Sequence, residues 1–311
     1  SSNDCQVLAS PCATIQNAVD ESAGGDLIDV GPGSFPEAVT VSGKSVVIRG
    51  AGRDDTVIEA PGGPLTSCDQ DFSWTGVVCF WNSNSTISDL TVDGDGQAAT
   101  NLQFAGILFA RSGGLVTNVR TSGTRDTALS GNERGYGITQ TNGNTVTRKL
   151  RVHDSLIEDF QQGGIYAAIE GDPAGALSLE VTATRITGAG PTGVIAQSGI
   201  ATDNGTSTVV DNSVIEDLVY TGNAEPTAFG VRAAGSSRVE VTKSQFDQVQ
   251  AGIYAYASSG DPILVSGNQF TGTTDAAGSG ALRAIEAGHG TIEISENLIE
   301  TQPGSGVTQM N

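Results

Sequence analysis

Lysine is almost missing from this chain: Lys44, Lys149 and Lys243 are the only three in 311 residues. Histidine is scarcer still, with His153 and His289 alone. Lys plus Arg total 15 against 35 for Asp plus Glu, so the formal charge is −20. A surface of that sign repels nucleic acid and anionic lipid, which argues against both as partners. No apolar run approaches the roughly 18 residues of a membrane-spanning helix, so no membrane insertion is expected. No basic-then-apolar leader stands at the start either, so any leader lies outside these residues. Strong helix formers are sparse and aromatics are only 5% of the chain. Long packed helices are therefore not expected.

Gly supplies 42 positions, and Val, Ile, Thr and Ser fill much of the rest. That vocabulary belongs to short strands joined by tight turns. The acidity has two readings. One is solubility in a secreted or salt-exposed protein. The other is a cation-binding surface, with Ca2+ held by carboxylate oxygens. Four cysteines fall into two local pairs, Cys5 with Cys12 and Cys68 with Cys79. An even count at short spacing points to two local disulfides and an oxidising, extracellular or cell-surface location. Spacing alone leaves all three pairings of four cysteines open.

Two phrases repeat along the chain. The first is GILF (106–109), GITQ (137–140), GIYA (164–167), GVIA (193–196), GVRA (230–233), GIYA (252–255), a glycine-less ALRA (281–284) and GVTQ (306–309). The second lies within the intervals: VHDSLI (152–157), VTATRI (181–186), VDNSVI (210–215), VTKSQF (241–246), VSGNQF (265–270) and ISENLI (294–299). Its small polar column is Ser155, Thr184, Ser213, Ser244, Asn268 and Asn297. Period-2 alternation with a fixed polar turn position is a strand-and-turn pattern. A unit of this size cannot bury its own apolar face and must stack on its neighbours. The pattern predicts an all-β chain, a single parallel β-helix over 1–311, with about ten coils from residue 26. Ile165, Val194, Val231 and Ile253 are expected to stack inward. The polar column is expected to satisfy turn backbone groups one coil away. TIQNAVDESA (14–23) puts Ile15, Ala18 and Val19 on one face, which predicts a capping helix within 12–25. Continuation of the chain or end-to-end association beyond Asn311 is a further expectation.

The run CATIQNAVDESAGGDLIDVGPGSFPEAVTVSGKSVVIRGAGRDDTVIEA (12–60) resembles the opening module of secreted right-handed parallel β-helix proteins of the pectin-lyase-like superfamily, including pectin methylesterases. The later coils resemble bacterial β-helix repeats. This resemblance implies the handedness of the helix and an extracellular setting. The superfamily's catalytic strings do not follow. GxxDFIFG and LGRPW are absent, and DQDFSW (69–74) matches neither. AGHG (287–290) supplies GHG around His289 without the NTD, DD or RIK strings. RGYGITQTNG (134–143) continues without Asp-Pro-His.

Function on a solenoid needs a row of outward side chains. If Ile or Val of the first phrase faces inward, the next residue faces outward. That row reads Leu108, Thr139, Tyr166, Ile195, Arg232, Tyr254, Arg283 and Thr308, with Gln197 and Tyr256 two places further along. Aromatic faces and planar donors along a groove suit a sugar polymer. The expected polysaccharide-binding residues are Tyr166, Gln197, Arg232, Tyr254, Tyr256 and Arg283. Depolymerisation needs a group to neutralise a uronate and a base or acid beside it. Arg232, Arg283 and Glu170 are the candidates for that chemistry, with Ca2+ as the one cofactor expected. Asp172 and Asp261, in the two Gly-Asp-Pro turns, read more simply as turn chemistry. The rival expectation is a non-catalytic surface, adhesin or fibre component that uses the solenoid as a rigid spacer.

Overall fold

The computed structural model describes residue 5 and residues 10–68, 73–101, 103–171, 175–222, 227–257, 261–271, 283–300 and 306–310. Within them the chain winds as a parallel β-helix. One sheet has ten strands, in space as in sequence: Val39–Ser42, Thr75–Trp81, Phe104–Ala110, Tyr136–Asn142, Gly163–Ile169, Ser198–Asp203, Phe229–Ser236, Ala251–Ala257, Arg283–Gly288 and Gly306–Met310. The other strands form two further parallel stacks, linked by Asn84–Asp93 and Gly113–Ser122, which are long enough to run through both. One continuous core of Val, Ile, Leu and Phe runs between the sheets. Stacked rings recur along it, Phe80 on Phe109 at 4.7 Å and Phe246 on Phe270 at 4.8 Å between centroids.

The helix Ile15–Glu21 closes the first coil. Thr14 caps it, its hydroxyl accepting from the Asn17 amide at 3.1 Å. Ile15 and Val19 are buried against the coil end, as the apolar spacing predicts. Glu37 reaches back to accept from the amides of Ile15 and Gln16, satisfying two first-turn donors that a short helix otherwise leaves open. Both disulfides are formed, Cys5–Cys12 and Cys68–Cys79.

The polar column forms a hydrogen-bonded ladder. The Ser155 amide donates to Thr184 Oγ1 at 3.4 Å, the Thr184 amide to Ser213 Oγ at 3.3 Å, and the Ser213 amide to Ser244 Oγ at 3.1 Å. The Ser244 amide then donates to Asn268 Oδ1, and the Asn268 amide to Asn297 Oδ1, both at 2.9 Å. Before each rung the chain turns through the left-handed region, at Asp154, Ala183, Asn212, Lys243, Gly267 and Glu296. Each rung supplies the acceptor that the turn amide one coil earlier would otherwise lack.

The glycine of the first phrase has an equally local cause. A Cβ on Gly164 would lie 2.7 Å from the Gly199 carbonyl oxygen, one on Gly199 2.7 Å from that of Gly230, and one on Gly230 2.6 Å from that of Gly252. At these glycines the next coil stands too close for a side chain, whereas the two ends of the row carry Val77 and Ala284. Glycine and the following Ile or Val both face the core, so strict alternation fails at this one place.

The ladder corrects two parts of the expected register. Ile165 pairs with Ile200, and Ile200 with Val231, so GIAT at 199–202 carries the coil and GVIA does not. Val194 lies in the connection before Ser198 and is 46% exposed, whereas Ile200 is fully buried. Likewise Ile253 pairs with Ile285, placing AIEA (284–287) in the row instead of ALRA. Ile165, Val231 and Ile253 do stack inward, each fully buried.

Candidate functional site

The outward row on the ten-stranded sheet runs Cys79, Leu108, Thr139, Tyr166, Ala201, Arg232, Tyr254, Glu286 in register. Its first part is closed to solvent. Trp74 packs with Cys79, Ala105, Leu108 and Ala110 in a second apolar cluster outside the main core, and Cys68, Trp81, Tyr136 and Tyr166 border it. The Cys68–Cys79 bridge ties this cover to the sheet. Leu108 and Thr139 are therefore buried, not displayed.

From Tyr166 onward the row is half open, with Tyr166, Arg232, Tyr254 and Tyr256 half-buried and Ala201 and Glu286 buried. Tyr166 stacks on Trp74 at 5.9 Å and meets Tyr136 at 5.2 Å between ring centroids. One coil on, Ala201 leaves a step with no large side chain. Arg232 follows, its Nη1 donating to Asp203 Oδ1 at 2.9 Å. A second aromatic group begins at the next coil: Tyr254 meets Phe229 at 5.4 Å and Tyr256 at 4.6 Å, and Tyr256 meets His289 at 5.6 Å. The Tyr256 hydroxyl donates to Glu286 Oε1 at 2.8 Å. Tyr166 and Tyr254 are thus three ladder steps apart, about 14 Å at ~4.8 Å per coil.

The polar groups of this face are already oriented. Trp74 Nε1 donates to Glu170 Oε1 at 2.9 Å. Burial pushes the Tyr166 phenol up to about 12, with the negative charges of Asp203 and Glu170 adding to it and Arg232 opposing. Burial, with Tyr166 and Glu133 beside it, raises Tyr136 in the same direction. Both phenols hold their protons at neutral pH and can donate. The face offers ring surfaces, phenol donors, one guanidinium and the carboxylates of Glu170 and Asp203, while Glu286 is buried beside the Tyr256 hydroxyl.

Gln197, one of the expected binding residues, is not on it, and Arg283 is not in the Tyr254 row. Gln197 is buried at the turn before Ser198, donating to the Phe160 and Gln161 carbonyls and accepting from the Ala189 amide. It is a structural residue, because its amide fills backbone groups that the turn leaves open. Arg283 pairs with Ala251 in the ladder, and Glu286 holds the position beside Tyr254. The arginine expected as a second guanidinium on this row is replaced there by a carboxylate. Tyr166, Arg232, Tyr254 and Tyr256 do share the face, and Glu170 follows the same strand as Tyr166. Ile195 is buried in the connection. Asp172 lies outside the described residues, as do the side chains of Arg283 and Thr308.

Sequence reasoning missed Trp74, Tyr136, Asp203, Phe229 and Glu286. Tyr136 and Phe229 stand immediately before the phrase glycine, a place that faces outward because the glycine and its neighbour both turn inward. A buried Gln two residues before the glycine marks the correct register, at Gln197 before Gly199 and Gln250 before Gly252. The acidic repeats Glu158–Asp159 and Glu216–Asp217 belong to another face. There Arg120, Arg125 and Arg185 pair with Glu158, Asp159 and Glu216. Among the described residues no three of His, Cys, Asp or Glu gather to hold a metal ion.

Residues 75–311 match the family model described as right handed beta helix region. No curated protein matches the chain. Among solved structures, the chain is similar to the A-module of mannuronan C-5 epimerase AlgE4 from Azotobacter vinelandii, at 15% identity with 98% of each chain covered and a TM-score of 0.38. It is also similar to pectin methylesterase from Yersinia enterocolitica, at 14% identity with 96% of this chain and 94% of that one covered and a TM-score of 0.41. Likenesses this distant carry no argument about chemistry. With three quarters of its length matched by one family model and its strands wound in parallel coils, the chain belongs to the right-handed β-helix family.

Proposed function

We propose that the protein is an extracellular polysaccharide-binding β-helix and that the polymer lies along the ten-stranded sheet from Tyr166 to Tyr256. The observation that carries this reading is the division of the half-buried outward row into two aromatic groups with Arg232 and Asp203 between them. Rings at either end suit the C–H faces of sugar residues, and the spacing of about 14 Å fits an oligomer better than a monosaccharide. Arg232 then meets a uronate carboxylate or a pair of hydroxyls. Ca2+ belongs to this reading as a bridge between acidic sugars and the carboxylates of Asp203 and Glu170. The two disulfides suit an oxidising exterior.

A non-catalytic role, as a surface or fibre spacer, is favoured over depolymerisation by one specific observation. Two of the three catalytic candidates are held by neighbours, Glu170 by Trp74 and Arg232 by Asp203. Incubation with pectic, alginate and neutral glycans, with and without Ca2+, separates the readings. Retention of a glycan without new unsaturated or reducing ends is the result expected. Chain cleavage would shift the assignment to an enzyme, and failure to retain any glycan would remove the binding reading.

A further inference from the structure

A second polar surface lies round the corner from the aromatic face and on a different sheet. The segment Arg148-Lys149-Leu150-Arg151 is the densest cationic stretch of a chain that carries a formal charge of −20. It enters the strand Arg148–His153, which pairs with Gly113–Ser122, so that Arg151 lies beside Leu115 and Leu115 beside Thr86. Lys149 and Arg151 are two residues apart on one strand, and both side chains are exposed. They therefore point from the same side, roughly 7 Å apart along the chain.

Beside them the backbone leaves a hollow. Gly113 sits between Asn84 and Lys149, and a Cβ there would lie 2.5 Å from the Lys149 carbonyl oxygen. The close approach excludes a side chain and creates the floor of a trough of about 600 Å³ lined by Asn84, Thr86, Thr147, Arg148, Lys149 and Arg151, among others. Its charge is only partly offset. Glu180 pairs with Lys149. Arg148 donates to the neutral side chain of Asn82 at 2.7 Å, and its Nε is buried with no hydrogen-bond partner. Glu180 is also the ladder neighbour of Arg151, but among the described residues neither Arg148 nor Arg151 makes an ion pair, whereas Arg49, Arg120, Arg125, Arg185, Arg232 and Arg238 each do.

We infer that this trough is a binding site for an oxyanion carried on a saccharide, a uronate carboxylate or a sulfate ester, held by Arg148 and Arg151, with Asn84, Thr86 and Thr147 contacting the sugar hydroxyls. Guanidinium forks match the geometry of either oxyanion. The flanking amide and hydroxyl side chains match the polyol that carries it. The surrounding negative field disfavours long polyanions such as nucleic acid, so the ligand is a short segment or a chain end. The inference does not depend on the aromatic face, which lies on the other sheet.

Backbone amide shifts of the full chain, followed in titrations with trigalacturonate, a sulfated trisaccharide, maltotriose and a short oligonucleotide, test it. Trigalacturonate or the sulfated sugar should move the amides of Gly113, Leu115 and Arg151, and which one does so identifies the oxyanion. Maltotriose should leave them still. The Arg148→Gln/Arg151→Gln pair should weaken the anionic sugar by about tenfold or more, while Tyr254→Ala leaves this response intact. Shifts confined to other surfaces, an unchanged affinity in the double variant, equal binding of maltotriose, or tighter binding of the oligonucleotide would each overturn the assignment. The shift map of the unaltered protein decides the matter even if the double variant does not fold.

Discussion

Trp74 Nε1 donates to Glu170 Oε1 across 2.9 Å and 96 residues of chain. That one bond joins the cover held by Cys68–Cys79 to the strand end that carries Tyr166, and so sets where the exposed face begins. Removing the bridge with Cys68→Ser/Cys79→Ser should cost about 2–3 kcal/mol, since the bridge closes a short loop. Tryptophan emission should move toward that of solvated indole as Trp74 loosens, while far-ultraviolet circular dichroism stays that of a β-helix. Unchanged emission in the variant would show that the cover needs no clip.

The ladder of small polar residues makes a sharper demand on chemistry than on size. Ser213→Ala removes the acceptor of the Thr184 amide and should cost about 1–3 kcal/mol in urea unfolding. Ser213→Asn should come close to the parent protein, because Asn268 and Asn297 already fill the same column. Equal losses for the two variants would mean that the column serves packing alone.

Register can be tested at two residues only six apart. Val194→Asp should be tolerated, since Val194 is 46% exposed. Ile200→Asp should cost more than about 4 kcal/mol, because it buries a charge with no partner. The opposite ranking would restore the GVIA alignment and remove Ala201 from the outward row.

Much of this architecture was legible before any coordinates. The capping helix, the polar column and the inward stacking of Ile165, Val231 and Ile253 each leave a short-range pattern, so alternation and spacing revealed them. What stayed hidden depends on contacts between coils. GVIA and GIAT carry the same local signal, and only the glycine-to-carbonyl approach and the buried Gln197 decide between them. Trp74 obeys no period at all. Its position is set by a disulfide and a hydrogen bond to a residue nearly a hundred positions away. Arg283 was misplaced because ALRA and AIEA look alike as strings, and a ladder is needed to choose.

Glycine at the interior positions of the close-approach row should be irreplaceable. In Gly230→Ala the new methyl would stand 2.6 Å from the Gly252 carbonyl oxygen and 2.7 Å from the Phe246 ring. A loss of about 1–3 kcal/mol or more is expected in thermal or urea unfolding. Gly62→Ala, where nothing lies within 4 Å, is the control and should change little. Comparable losses at both positions would contradict the account of the repeated phrase.

Alkaline titration reads the environment of Tyr166. Its folded pKa of about 12 lies above the ordinary 10.0, so the folded chain keeps a proton that the unfolded chain gives up. The stability this contributes is complete below about pH 10 and is lost as pH rises toward 12. The phenolate absorbance of the native protein should therefore appear late. Tyr166→Phe should flatten part of the fall in stability over that window. A Tyr166 that titrates with free tyrosine would show the phenol to be in open solvent.

The central claim is that Tyr254 and Arg232, one coil apart, grip a polymer. Isothermal titration of the protein and of its Arg232→Gln/Tyr254→Ala variant, using a glycan retained in the panel experiment, tests it most directly. Tyr254 packs on Phe229 and Tyr256 outside the main core, so the variant should remain folded by circular dichroism. Affinity should fall by about tenfold to a hundredfold, from the loss of one stacking surface and one charged donor. A folded variant that binds the same glycan with undiminished affinity would contradict it.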